Sequence, residues 1–171
     1  HLLHPSDTTT GVRYSSLAMI HAILEDLLTP EQARKHLQLI DAHLRGPDGV
    51  RLFDKPMPYH GGPMRFFQRA ESATFFGREI GLMYMHAHLR YAQALAHVGE
   101  ADRFFHALCQ ANPIGIRHIV PTATPRQANC YYSSSDAVFE DRYQASEQYD
   151  RAARGEIALD GGWRVYSSGA G

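Results

Sequence analysis

Arg78 and Glu79 stand side by side, His86 follows seven residues later, and Gly99-Glu100-Ala101-Asp102 and then Asn112-Pro113 come further on. A base, an acid and an imidazole are thus gathered at the start of one helical stretch whose end Gly99 marks. A second polar turn, Gly162-Trp163-Arg164-Val165-Tyr166-Ser167-Ser168-Gly169, closes the sequence. Small hydroxyl and glycine residues there can turn backbone N–H groups toward an anion. Together the two places predict a site that handles phosphate next to a sugar.

Such a site needs cationic or N–H donors around phosphate, polar groups for sugar hydroxyls, and one carboxylic acid to protonate a leaving oxygen. His86, Arg78, Ser168 and Gly169 answer the first need, and Arg126-Gln127-Ala128-Asn129 can bond hydroxyls or simply anchor a loop. Each residue also has a plainer explanation. A histidine at a helix start is more often packed or solvated than a ligand. Arg78 with Glu79 can be a surface ion pair of little energetic weight, and Ser168-Gly169 an ordinary turn. Asp136 fits a first-turn carboxylate better than a catalytic acid. His88, off the face of His86, reads as structural.

Composition bounds the class. The chain has 171 residues, 44% hydrophobic and 20% charged, with net charge −1 when the histidines are neutral. Basic residues are scattered and not gathered into a block, which argues against a nucleic-acid partner. No apolar run approaches the roughly 20 residues that span a bilayer, so no membrane role is expected. The two cysteines, Cys109 and Cys130, imply no disulfide framework, and a reducing, cytoplasmic setting fits best. Eleven histidines are spread along the chain without a recognised metal spacing, so neither metal nor cofactor is expected. The opening on His1 and the closing Gly-Ala-Gly predict a piece of a longer protein that is poorly stable alone.

The elements that must position these residues are mainly helices. Leu17, Ile20, Ile23, Leu24, Leu27 and Leu28 repeat at helical spacing from about Tyr14 to Leu28. Thr29-Pro30-Glu31 is a helix start by cap, proline and dipole, and that helix runs to Leu44. Gly46-Pro47-Asp48-Gly49 turns the chain, and Val50 to Phe53 is a short extended piece. Lys55 to Gly77 is a long loop rich in Pro, Gly and Phe, of the kind that packs over a cleft. A third helix runs from Glu79 or Ile80 to Val98 and a fourth from Ala101 to Cys109. Ile114 to Val120 is a candidate strand interrupted by Gly115. Ser133-Ser134-Ser135-Asp136 caps a fifth helix. Helices joined by irregular loops predict an all-α fold.

In order along the chain, these motifs resemble the C-terminal part of the catalytic domain of glycoside hydrolase family 94, the inverting sugar phosphorylases. Tyr14-Ser15-Ser16-Leu17 echoes one of the family's helix starts, and Gly49-Val50-Arg51-Leu52-Phe53 looks like its Gly-Ile-Arg-Leu-Leu turn. Glu79 through His86 is similar to its Glu-Asn-Gly-Gly, three residues, His pattern, with Ile80-Gly81-Leu82 replacing Asn-Gly-Gly. Gly99-Glu100-Ala101-Asp102, Asn112-Pro113 and Trp163…Ser168-Gly169 follow in the family's order. Phe66-Phe67-Gln68-Arg69-Ala70-Glu71-Ser72 and the stretch from Arg126 to Asp136 look more like the branch acting on β-1,2-oligoglucans of the sophorose series than like the cellobiose branch.

The resemblance implies one partial domain over residues 1–171, a fragment of an (α/α)6 barrel. It implies phosphate contacts from His86, Ser168 and Gly169 and sugar contacts from Arg78 and Glu79; Arg126 and Gln127, by residue type, are further substrate-binding candidates. The general acid of this family is an Asp in an upstream segment, so no aspartate here inherits the role and the chain alone is expected to be inactive. Inorganic phosphate is a co-substrate, an oligosaccharide is the other substrate, and a homodimer is possible for the full-length protein. The competing expectations are a phosphorylase of the cellobiose or chitobiose type, a module of a cyclic β-1,2-glucan synthase, and a non-catalytic carbohydrate-binding helical module.

Overall fold

The computed structural model describes residues 11–55, 83, 85–112, 114–119, 121, 144, 147–148, 150–151 and 154–157. Within them the order is α1 (Ser16–Leu24), α2 (Pro30–His43), β1 (Arg45–Gly46), β2 (Gly49–Val50), α3 (Met85–His97), α4 (Ala101–Ala111) and the short α5 (Ile116–Ile119). The fold is thus mostly helical, as expected, with one antiparallel hairpin in which Arg45 faces Val50 and Gly46 faces Gly49.

Helix α1 buries Ser16, Met19, Ile20 and Ile23. These are spaced as one helical stripe. The helix ends four residues before the expected Leu28 because the chain turns off at Asp26, whose φ is 51°. There the N–H of Leu27 reaches the carbonyl of Ala22 and that of Asp26 reaches Ile23, a Schellman closure. Leu27 therefore lies outside the helix and is 74% exposed, while Leu17 sits on the stripe's edge. The continuing apolar run hides this stop in the sequence.

Helix α2 begins as its sequence dictates. The Thr29 side chain accepts from the Gln32 N–H, the Gln32 side chain accepts from the Thr29 N–H, and Pro30 occupies the first turn. This capping box satisfies two N–H groups that a helix start leaves free. Ala33, Leu37 and Ile40 face inward, continued by Leu44.

Helix α3 carries the central stripe: His88, Tyr91, Ala92 and Leu95 are all buried. It packs on α1 along one side and on α4 along the other, so the core lies between these helices and α2. A polar clasp crosses the helices at their rim. The Tyr91 hydroxyl donates to Asp41 at 3.0 Å and Arg103 donates to the other oxygen of the same carboxylate at 2.5 Å. Burial, helped by the Asp41 charge, pushes the Tyr91 phenol above its ordinary range. Asp41 on α2 is thereby fixed to α3 and α4 together.

The expected helix start at Glu79 or Ile80 is corrected. Met83 pairs with Arg51 in an antiparallel bridge, which requires extended backbone, and α3 begins at Met85. Helix α4 runs two residues past the expected Cys109, and Gly99, at φ 81°, makes the left-handed turn between α3 and α4.

The candidate strand at Ile114 to Val120 is likewise replaced by a helical turn. Asn112 Oδ1 accepts the Ile114 N–H at 2.9 Å, Gly115 takes φ 75°, and Ile116 is buried as the anchor of α5. Local side-chain bonding and a left-handed glycine thus outweigh β-propensity in the absence of a strand partner among the described residues. The long loop from Lys55 to Gly77, beyond Lys55 itself, and the cap at Ser133–Asp136 lie outside the described residues.

Candidate functional site

Residues 50–54 form a crossroads beneath the first turn of α3. The Leu52 carbonyl accepts the Ser16 N–H at 2.9 Å, the Leu44 carbonyl accepts the Arg51 N–H at 2.8 Å, and Asp54 accepts the N–H groups of Arg13 and Tyr14 at 2.9 and 3.1 Å. Phe53 bridges to Ser15 as Arg51 bridges to Met83. The expected extended piece from Val50 to Phe53 is therefore present, and it ties the start of α1 to the chain leading into α3.

The hairpin ahead of it is shaped by its glycines. Pro47 locks its own φ at about −65°, and the unusual backbone angle falls on Gly49, at φ 137°. A Cβ on Gly49 would lie 2.8 Å from His88 Nδ1 and 2.9 Å from Met83 Cγ. The Arg51 guanidinium lies directly over Gly46, leaving no room for a side chain there. Gln110 on α4 holds the turn from outside by donating to the Pro47 carbonyl at 2.8 Å.

Into this frame projects His88, which is fully buried. Its Nδ1 accepts the Val50 N–H at 3.1 Å and its Nε2 lies 2.8 Å from the Ala107 carbonyl. A backbone N–H can only donate and a carbonyl can only accept, so the partners assign a neutral ring with its proton on Nε2. Burial lowers the imidazole's pKa. The Ala107 carbonyl and Asp48 oppose that shift, and Arg45 and His106 add to it. His88 is structural, as the sequence indicated. Its two partners, on a hairpin and on the next helix, are too remote in sequence to be read from spacing.

His86 is the site residue that the described structure places. It is the second residue of α3 and half-buried. At about 100° per residue it lies roughly 200° around the helix from His88, so the two project from nearly opposite sides of α3, and His88 is the one anchored in the core. The other residues assigned to phosphate and sugar, Ser168, Gly169, Arg78, Glu79, Arg126 and Gln127, lie outside the described residues.

A separate open cleft of about 440 Å³ lies beside the hairpin, lined among others by Asp41, Arg45, Pro47, His106 and Gln110. Among the described residues that line it, His86 does not appear. Among the described residues no three His, Cys, Asp or Glu are grouped to hold a metal, and no helix is long and apolar enough to cross a membrane. Cys109 is a free, half-buried thiol.

No family model matches the chain. It is, however, 46% identical over 170 residues to a curated 1,2-beta-oligoglucan phosphorylase from Listeria innocua, a match that covers 99% of this chain and 16% of the relative. The chain thus spans about one sixth of the length of the relative that it matches. By sequence, it is homologous along nearly all of its length to one stretch of a 1,2-beta-oligoglucan phosphorylase, in agreement with the branch read from its motifs.

Proposed function

We propose that the chain is part of an inverting phosphorylase that cleaves β-1,2-linked oligoglucans with inorganic phosphate, giving α-glucose 1-phosphate and a shortened glucan. The observation that carries this is the 46% identity to a phosphorylase of that name across nearly the whole chain. The helical fold agrees with a portion of an (α/α)6 barrel, taken here as the C-terminal part of the catalytic domain.

In this proposal an Asp outside the chain protonates the glycosidic oxygen as the C–O bond breaks, and a phosphate oxygen attacks the anomeric carbon from the opposite face. Phosphate replaces both the water and the general base of an inverting glycosidase, so one carboxyl suffices. The task left to this segment is to bring an anion to an electron-poor carbon in line with the leaving group. His86, in the first turn of a 13-residue helix, stands at the end whose partial positive charge favours anions. Ser168 and Gly169 complete the phosphate contacts, and Arg78, Glu79, Arg126 and Gln127 meet the sugar.

The test is a panel of β-linked glucose disaccharides and chitobiose, each supplied with phosphate, given to the enzyme that carries this chain. Release of α-glucose 1-phosphate from sophorose-series glucans ahead of the others supports the proposal. Preference for cellobiose or chitobiose, or glucan binding that ignores phosphate and yields no sugar phosphate, contradicts it. The 171-residue chain alone is expected to release none.

A further inference from the structure

We propose that His88 is a positioning residue for phosphate, acting through His86: by clamping the first turn of α3 to the hairpin and to α4, it sets the direction in which His86 points. This rests on His86 being a phosphate contact, as proposed above.

The first four N–H groups of a helix have no partner within it, so the first turn is the part that frays. His86 is in that turn, and its direction depends on the rotation of the turn about the helix axis. Among the described residues, two attachments hold that rotation. The chain leading into α3 is held at Met83 by the bridge to Arg51. The turn itself is held by His88, whose Nδ1 takes the Val50 N–H and whose Nε2–H reaches Ala107 on α4.

Both anchors on the hairpin side belong to neighbouring residues, Val50 and Arg51, so one rigid strip sets both ends of the turn. His88 and His86 lie on nearly opposite faces. A rotation that releases the first therefore swings the second. A displacement near 1 Å of a group that positions a reactant costs on the order of 100-fold in rate. The hairpin in turn keeps its place because Gly49 has no side chain to push against the ring. Gln110 also holds the Pro47 carbonyl.

The experiment compares steady-state kinetics of the phosphorylase carrying this chain with its His86→Ala, His88→Ala and His88→Gln variants, varying phosphate and glucan in turn. His88→Ala is expected to raise the KM for phosphate on the order of 10- to 100-fold while the KM for glucan moves by less than about 3-fold. His88→Gln retains an N–H donor for the Ala107 carbonyl and is expected to recover part of the loss.

Should His88→Ala fail to fold, His88→Gln carries the test on the same comparison. Equal changes in both KM values, or none, overturn the positioning role. If His86→Ala raises the phosphate KM and a folded His88 variant does not, the clamp is refuted and the phosphate role of His86 stands. An unchanged phosphate KM in His86→Ala removes the phosphate role and the clamp with it.

Discussion

Asp48 and Arg51 form an ion pair at 3.3 Å inside the hairpin, with both side chains only 2% exposed. Two charges so far from water hold together because each neutralises the other, and the hairpin is the stiffer for it. Removing one partner leaves a buried charge unpaired.

Asp48→Ala is therefore expected to destabilise the chain by roughly 3–5 kcal/mol. Adding Arg51→Met to it is expected to restore a large part, since the unpaired charge disappears. Urea unfolding of Asp48→Ala, Arg51→Met and the double variant against the parent measures both. A loss in the double variant equal to the sum of separate losses would show that the pair does not couple.

The glycines supply a second comparison. Gly99 has φ 81° and no neighbour within 4 Å of the place a methyl would occupy, whereas Gly49 has φ 137° and would press a methyl against His88 and Met83. Gly99→Ala is expected to cost about 1–2 kcal/mol from backbone strain alone. Gly49→Ala adds steric displacement and is expected to cost more. The order of their unfolding midpoints in urea checks this, and a smaller loss at Gly49 contradicts the packing described for His88.

The pH dependence follows from the direction of the His88 shift. Its pKa in the folded chain is below the ordinary 6.5, with burial the largest cause, so above that ordinary value the ring is neutral in both states and its full contribution to stability is present. As pH falls, the unfolded chain takes the proton first, and stability is lost through the window from 6.5 down to the lowered folded value. His36 and His106 are shifted the same way by burial and act with the same sign. Unfolding midpoints are expected to drop between about pH 7.5 and about pH 5.5, and His88→Gln to reduce that drop. An equal drop in His88→Gln removes His88 from this window.

What could be read from the sequence was whatever local chemistry decides. The Thr29-Pro30-Glu31 start, the turn at residues 46–49 and the stop at Gly99 all appear where the side chains require them. The early end of α1 was hidden because Leu27 and Leu28 extend the apolar run, and only the left-handed Asp26 breaks it. The late start of α3 depends on pairing between Met83 and Arg51, residues 32 positions apart by their numbers, which no local pattern encodes. His88 was legible as structural from its face. Its role as a clamp needed Val50 and Ala107 brought to either side of the ring.

The family branch read from the order of motifs along the chain agrees with the relative at 46% identity. The individual residues were not separable by type. A histidine two positions from another differs from it only in which way the helix turns each one, about 200° apart.

The most direct measurement is the KM for phosphate of His86→Ala in the phosphorylase that carries this chain, set against its KM for the glucan. Removal of a contact made to phosphate alone is expected to raise the first by about 10-fold or more and to leave the second nearly unchanged. Equal losses for both substrates, or no loss for phosphate, would contradict a phosphate site at the start of α3.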